Sequence, residues 1–125
     1  MRITQSAISL NVADVTRSAA FLETHFGFQR QMEADGFVSL TRDDAGVHLI
    51  FLEVGLATFK PATHAAAAGM GMLIVFVVDA IDAEWDRLQG RELFFPTSIE
   101  TEPWGERYFQ VLDPNGIVYQ LVQWV

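Results

Sequence analysis

Hydrophobic and polar positions along the chain change period several times, and each change marks an element. Residues 3–12 are β-branched or apolar at most positions and predict a strand. From Val15 the apolar residues fall instead at Val15, Ala19, Phe21, Leu22 and Phe26, the spacing of a helix face. Asp14 stands where an N-terminal cap belongs and Gly27 where a helix needs its C-terminal glycine. Three strands are then predicted over 29–34, 37–41 and 47–54, separated by Gly36 and the turn Asp43-Asp44-Ala45-Gly46. The first stretch therefore has the order βαβββ.

The order then repeats. Ala7-Ile8-Ser9-Leu10-Asn11-Val12-Ala13-Asp14 lies over Leu73-Ile74-Val75-Phe76-Val77-Val78-Asp79-Ala80, and Arg42-Asp43-Asp44-Ala45-Gly46 over Leu112-Asp113-Pro114-Asn115-Gly116, about 66 to 70 residues apart. Residues 72–78 predict a strand, 82–89 a helix stopped by Gly90, and further strands are expected near Phe94-Phe95, over 107–112 and over 117–124. Between the copies, residues 56–70 with their alanine run read as a connector with one helical turn. The expectation is a single α+β domain over 1–125, built of two βαβββ modules (1–55 and 71–125). Its eight strands would form a sheet with helices on one face and a concave groove on the other.

Composition narrows the function. Sixteen acids against eight bases give a net charge of −8, and Lys60 is the sole lysine. That excludes the clustered cations a nucleic-acid binder needs and fits a cationic ligand or plain solubility. No apolar run is long enough for a membrane span, and the N-terminus lacks a signal-peptide core. There is no cysteine, hence no disulfide framework and no thiolate chemistry. A cytoplasmic protein without membrane or nucleic-acid partners is expected.

Three words carry a resemblance: Val12-Ala13-Asp14 followed by Arg17-Ser18-Ala19-Ala20-Phe21-Leu22; Phe26-Gly27-Phe28; and Phe109-Gln110-Val111-Leu112-Asp113-Pro114-Asn115-Gly116. With the repeat, they make the whole chain resemble the vicinal oxygen chelate superfamily, the glyoxalase/bleomycin-resistance/dioxygenase fold. Enzymes of that superfamily hold a divalent metal through His, Glu or Gln on four strands, leaving positions open for paired substrate oxygens. The resemblance carries those ligand positions onto Ala7, Ile50, Leu73 and Gln120. Three of the four have no donor atom, which implies no metal and no cofactor and weighs against an enzyme. His48, two residues from Ile50 and on the same strand face, is the one histidine near these positions; His25 and His64 lie elsewhere.

The superfamily includes bleomycin-resistance members that lack the metal and sequester a drug between two subunits. Thr101-Glu102-Pro103-Trp104-Gly105-Glu106-Arg107 resembles the segment those proteins place at their drug groove. The implied function is a metal-independent, homodimeric binder of an aromatic or cationic natural product or antibiotic. Trp104 would stack on the ligand, with His48, Gln120, Glu102, Arg107, Phe59 and Ser9 as further contacts; Asn11 shares the face of Ser9. The alternative is a divergent lyase, isomerase or dioxygenase whose metal set includes His48 and Gln120. A vestigial groove with an interaction role is a third reading.

Overall fold

The computed structural model describes all residues, 1–125. Its elements run β1 (Ala7–Val12), α1 (Val15–Phe26), β2 (Gln29–Ala34), β3 (Phe37–Thr41), β4 (His48–Glu53), a 3₁₀ turn (Ala62–His64), β5 (Ile74–Val77), α2 (Ile81–Gln89), β6 (Glu100–Thr101), β7 (Glu106–Leu112) and β8 (Val118–Trp124). The eight strands form two four-stranded mixed sheets, β1-β4-β3-β2 and β5-β8-β7-β6. The chain divides accordingly into two compact units, Met1–Ala68 and Gly69–Val125. The fold is α+β with two βαβββ modules.

In the first unit the helix ends follow the sequence. Asp14 accepts a hydrogen bond from the Arg17 N–H (3.2 Å), and Gly27 adopts φ 68° to close α1. Arg42 adds to that end: its guanidinium donates to the Phe26 carbonyl, where helical carbonyls are otherwise unpaired. The buried strand positions alternate. Leu10, Val12, Val38, Leu40, Leu49 and Phe51 are buried with Ala19, Leu22 and Phe26 of the helix. The residues between them, including Ser9, Asn11, Ser39, His48 and Ile50, share the other face of the sheet. Strand β1 begins at Ala7 rather than residue 3, because its parallel partner β4 begins at His48, whose N–H bonds the Ser6 carbonyl.

The second unit repeats the plan with different fastenings. Trp85 of α2 meets Phe95 and Phe109 edge to face at 5.1 Å each, and Phe109, Val111, Tyr119 and Leu121 are buried. Helix α2 has Ala80 at its N-cap and no side-chain cap there. The side chain of Gln123, across the fold on β8, supplies the missing acceptor to the Ile81 N–H (3.0 Å) and donates to the Asp79 carbonyl (2.9 Å). The sixth strand is not at Phe94-Phe95, as expected from their apolarity, but at Glu100–Thr101. Phe94 makes a single bridge to Leu112, and Pro96 has no N–H with which to extend it. Phe95 instead packs its half-buried ring against Trp85 and Phe109.

Candidate ligand-binding face

Strand parity sorts the second sheet into two faces. On β7, Arg107, Phe109 and Val111 turn toward α2: Phe109 packs on Trp85, and Arg107 ion-pairs with Asp82 of the helix (2.6 Å). Glu106, Tyr108 and Gln110 therefore stand on the open face, beside Gln120, Val122 and Trp124 of β8. Polar atoms on this face are joined in two groups. Gln110 Nε2 donates to Gln120 Oε1 (2.9 Å), and Gln120 Nε2 donates to Glu106 Oε1 (3.3 Å). Beside them Tyr108 donates its hydroxyl proton to Glu102 (2.8 Å) and more distantly to Glu100 (3.4 Å). The hydrogen bond to Glu102, some loss of hydration and the two negative charges push the Tyr108 phenol up to about 12.

The rim of this face is a tight turn. Gly105 N–H bonds the Glu102 carbonyl (3.0 Å), Glu102 N–H bonds the Glu106 carbonyl (2.8 Å), and the last residue, Val125, donates to the Gly105 carbonyl (2.8 Å). Gly105 adopts φ 92°, and a Cβ there would lie 2.7 Å from the Val125 carbonyl oxygen, so both conformation and space require glycine. The turn holds Trp104 out from the surface, 66% exposed. Apolar area continues along β5, where Val75 and Val77 are exposed as is Leu73 just before the strand, with Val75 directly beside Gln120.

Of the residues singled out in the sequence, the second unit brings together Glu102, Gln120 and the Trp104 turn. Arg107 does not join them. It lies on the opposite face, held by Asp82 and the Thr101 hydroxyl (2.7 Å), because position 107 has the parity of the buried Phe109. Asp82 in return is held below the ordinary carboxylate range by this partner. Ser9 and His48 belong to the first unit and lie on the same face of its sheet, Ser9 beside Ile50 and His48 beside Ala7. Phe59 lies in the connector, half-buried. Asn11 is committed to structure: its amide donates to the carbonyls of His64 (3.1 Å) and Ala66 (3.4 Å), tying the connector to β1. Tyr108 and Gln110 were not anticipated, although they alternate with Glu106 along one strand; that period of two is the signal that finds them.

The metal implied by the resemblance was tested against the donor set. The strand pairings agree with the repeat, Ser9 lying beside Ile50 as Val75 lies beside Gln120, so Ile50 and Gln120 are equivalent positions. Ala7, Ile50 and Leu73 offer no oxygen or nitrogen donor, and both ends of the Gln120 amide are already bonded. No three His, Asp or Glu side chains within either unit are arranged to hold an ion. The residues present do not fit the metal. A surface depression in the first unit, lined by Gly27, Gln29, Arg42, Asp43 and Asp44, is the outside of the α1 cap, its guanidinium spent on Phe26 and Asp44.

A fold of two βαβββ units, each with its own four-stranded mixed sheet, is the design of a known superfamily. The model of the Glyoxalase/Bleomycin resistance protein/Dioxygenase superfamily matches residues 4–121, and the chain belongs to it. Among solved structures, the chain is similar to a glyoxalase/bleomycin resistance protein/dioxygenase from Nocardioides, with 23% identity and a TM-score of 0.80 over 100% of this chain and 85% of that one. It is similar to lactoylglutathione lyase from Agrobacterium tumefaciens at 16% identity and TM-score 0.78, over 98% and 94% of the two chains. TioX from Micromonospora sp. ML1 aligns at 21% identity and TM-score 0.72, over 98% and 100%. At these identities the likeness establishes the fold alone. No curated protein sequence matches the chain. No helix is long and apolar enough to cross a membrane.

Proposed function

We propose that this chain is a metal-independent binder of small organic molecules, of the bleomycin-resistance type, holding an aromatic or cationic natural product or antibiotic against the open face of the second sheet. The observation that carries the reading is an apolar strip and an ordered polar row on one face, with an exposed tryptophan in the turn that joins its strands β6 and β7. An exposed indole in a glycine-fixed turn offers a large stacking area while losing little side-chain freedom on binding. Leu73, Val75 and Val77 offer the apolar floor that such sites use, and the glutamine and glutamate groups supply the few placed polar contacts. A second copy of the chain is part of the proposal. Exposed apolar residues on the edge strand β5 support it, since such an edge is usually covered.

The test is a titration of intrinsic tryptophan fluorescence with aromatic and glycopeptide antibiotics, using Trp104→Ala beside the wild type. Binding is expected for some of the panel, and the substitution is expected to raise Kd about fivefold or more, the loss of one aromatic contact and the area it buries, roughly 1 kcal/mol or more. If every ligand bound Trp104→Ala as tightly as the wild type, the reading would be wrong. Protein exposed to Ni, Mn, Fe or Zn and then desalted is expected to retain far less than one ion per chain. Stoichiometric retention that His48→Ala abolishes would point to the metal-dependent alternative.

A further inference from the structure

We propose that the open face of the second sheet selects hydrogen-bond-donating cations carried on a flat ring, such as amidinium or guanidinium groups, over quaternary ammonium and anionic ligands. The inference rests on the binding reading above and specifies the ligand's chemistry.

The argument is an inventory of protons. An ionised glutamate only accepts hydrogen bonds. Gln120, which is 8% exposed, must therefore turn its Nε2 toward Glu106, and this orientation forces its Oε1 toward Gln110. Gln110 must then present Nε2 to Gln120. One carboxylate thus fixes the orientation of two amides in sequence. The row ends in acceptors, Gln110 Oε1 and Glu106 Oε2, while each amide keeps one further N–H beside the row. Tyr108 adds no free donor, because its proton is given to Glu102 and Glu100. Apart from Arg107, which faces α2, the strands of this sheet contain no Lys or Arg.

A ligand meeting this row finds acceptors and negative charge with no neutralising cation. A carboxylate ligand is repelled and finds few donors. A quaternary ammonium gains the charge and the ring contacts but can donate nothing, leaving the acceptors dehydrated and unpaired. An amidinium offers two parallel N–H groups as well as charge. An aromatic ring stands at the Glu106 end of the row: Trp124 lies directly across from Glu106 on the same face and is 60% exposed, and a second exposed tryptophan, Trp104, belongs to the turn leading into Glu106. The Val125 N–H bond to Gly105 keeps the two segments together. A planar cation would have carboxylate and indole faces within one patch.

The test uses three one-ring probes of similar size, benzamidinium, phenyltrimethylammonium and benzoate, with affinities read by ligand-observed NMR titration of the full chain. Benzamidinium is expected to bind at least about tenfold more tightly than phenyltrimethylammonium, the scale of one charge-assisted hydrogen bond, and benzoate not to bind. Glu106→Gln keeps an oxygen facing Gln120 and removes the charge; it should weaken benzamidinium about tenfold. Gln110→Leu should narrow the gap between the two cations. Near-ultraviolet circular dichroism and the urea midpoint verify that both variants are folded. Equal binding of the two cations, or no effect of Glu106→Gln on benzamidinium, would overturn this selectivity while leaving the proposed function standing if aromatic ligands still depend on Trp104. Loss of Trp104 dependence for every ligand would instead overturn the proposed function, and this inference with it.

Discussion

The two sheets share one topology but use their open faces differently. On the first, polar side chains serve the fold: Asn11 clasps the connector through His64 and Ala66, and the Ser39 hydroxyl donates to Gln31 (3.1 Å) at the bulge in β2. On the second, Asn11's counterpart by the repeat is Val77, which is 66% exposed, and Ile50's counterpart is Gln120, which orders a row of acceptors. A duplicated βαβββ unit thus needs only one face per copy for its core. The other is free to diverge, toward internal fastening in the first unit and toward the role proposed above in the second.

The largest effect should come from contrasting the two faces of β7. Phe109→Ala removes a fully buried ring from beneath Trp85 and is expected to cost about 3–5 kcal/mol in urea or thermal unfolding. Glu106→Gln, three residues away on the opposite face, should stay within about 0.5 kcal/mol. Similar costs for both would show that the face assignment is wrong. Next in size are two glycines. Gly105→Ala forces a left-handed backbone, about 1–2 kcal/mol on its own, and drives a Cβ against the Val125 carbonyl. Gly46→Ala in the first unit has a φ open to any residue and nothing within 4 Å, so it should be neutral or slightly stabilising. The Gly105 variant should also blunt the fluorescence response assigned to Trp104.

How much of this was legible depends on distance along the chain. The α1 caps and the bounds of β2 and β3 are local patterns, and Asp14 and Gly27 behave as their chemistry dictates; the repeat spans about 66 to 70 residues but is legible because each copy carries its own local pattern. The sixth strand was not legible at Phe94-Phe95, because apolarity does not distinguish a strand from a ring packed against a helix, such as Phe95. Gln123 as the cap of α2 was out of reach, since its partner lies 42 residues away. Among the proposed contacts, Glu102, Trp104 and Gln120 are singled out by motif and repeat, and the structure adds where they stand: Glu102 at the Tyr108 hydroxyl, Gln120 between Gln110 and Glu106, Trp104 exposed in its turn. Arg107 was drawn in by proximity to Trp104 in sequence, whereas strand parity sends it to α2. The same parity, applied along β7, points to Tyr108 and Gln110.

A smaller effect separates the counterparts Asn11 and Val77. Asn11→Ala should cost about 1 kcal/mol, because the amide hydrogen bonds that hold the connector to β1 are lost. Val77→Ala removes exposed surface and should stay within about 0.5 kcal/mol. Hydrogen exchange sharpens the contrast: with Asn11→Ala the amide of Ala68, bonded to the Asn11 carbonyl (2.8 Å), should exchange faster. Unchanged stability in Asn11→Ala would mean that the connector is held by something else.

The gentlest test sets the chain's two tyrosines against each other, one on each face of the second sheet. Both phenols are raised above their ordinary value, for different reasons. Tyr119 is raised chiefly by burial, with Asp113 adding a nearby negative charge. Tyr108 is pushed up to about 12 chiefly by its hydrogen bond to Glu102. A phenol raised in the folded state binds its proton more tightly there than in the unfolded chain, where it titrates near 10. The contribution of Tyr108 to stability is therefore complete below about pH 10 and fades as pH climbs through about 12, and that of Tyr119 is likewise complete below about pH 10 and lost only at higher pH. Near-ultraviolet phenolate absorbance of the folded protein should accordingly lag behind that of the denatured chain. Glu102→Gln removes the charge that holds the Tyr108 proton and should bring that titration down toward 10 while leaving Tyr119 high. Glu100→Gln should move it less, since that carboxylate sits at 3.4 Å rather than 2.8 Å. Should Glu102→Gln shift both tyrosines alike, or neither, the two faces would not be electrostatically separate, and the contrast between a buried face and an open one would lose its basis.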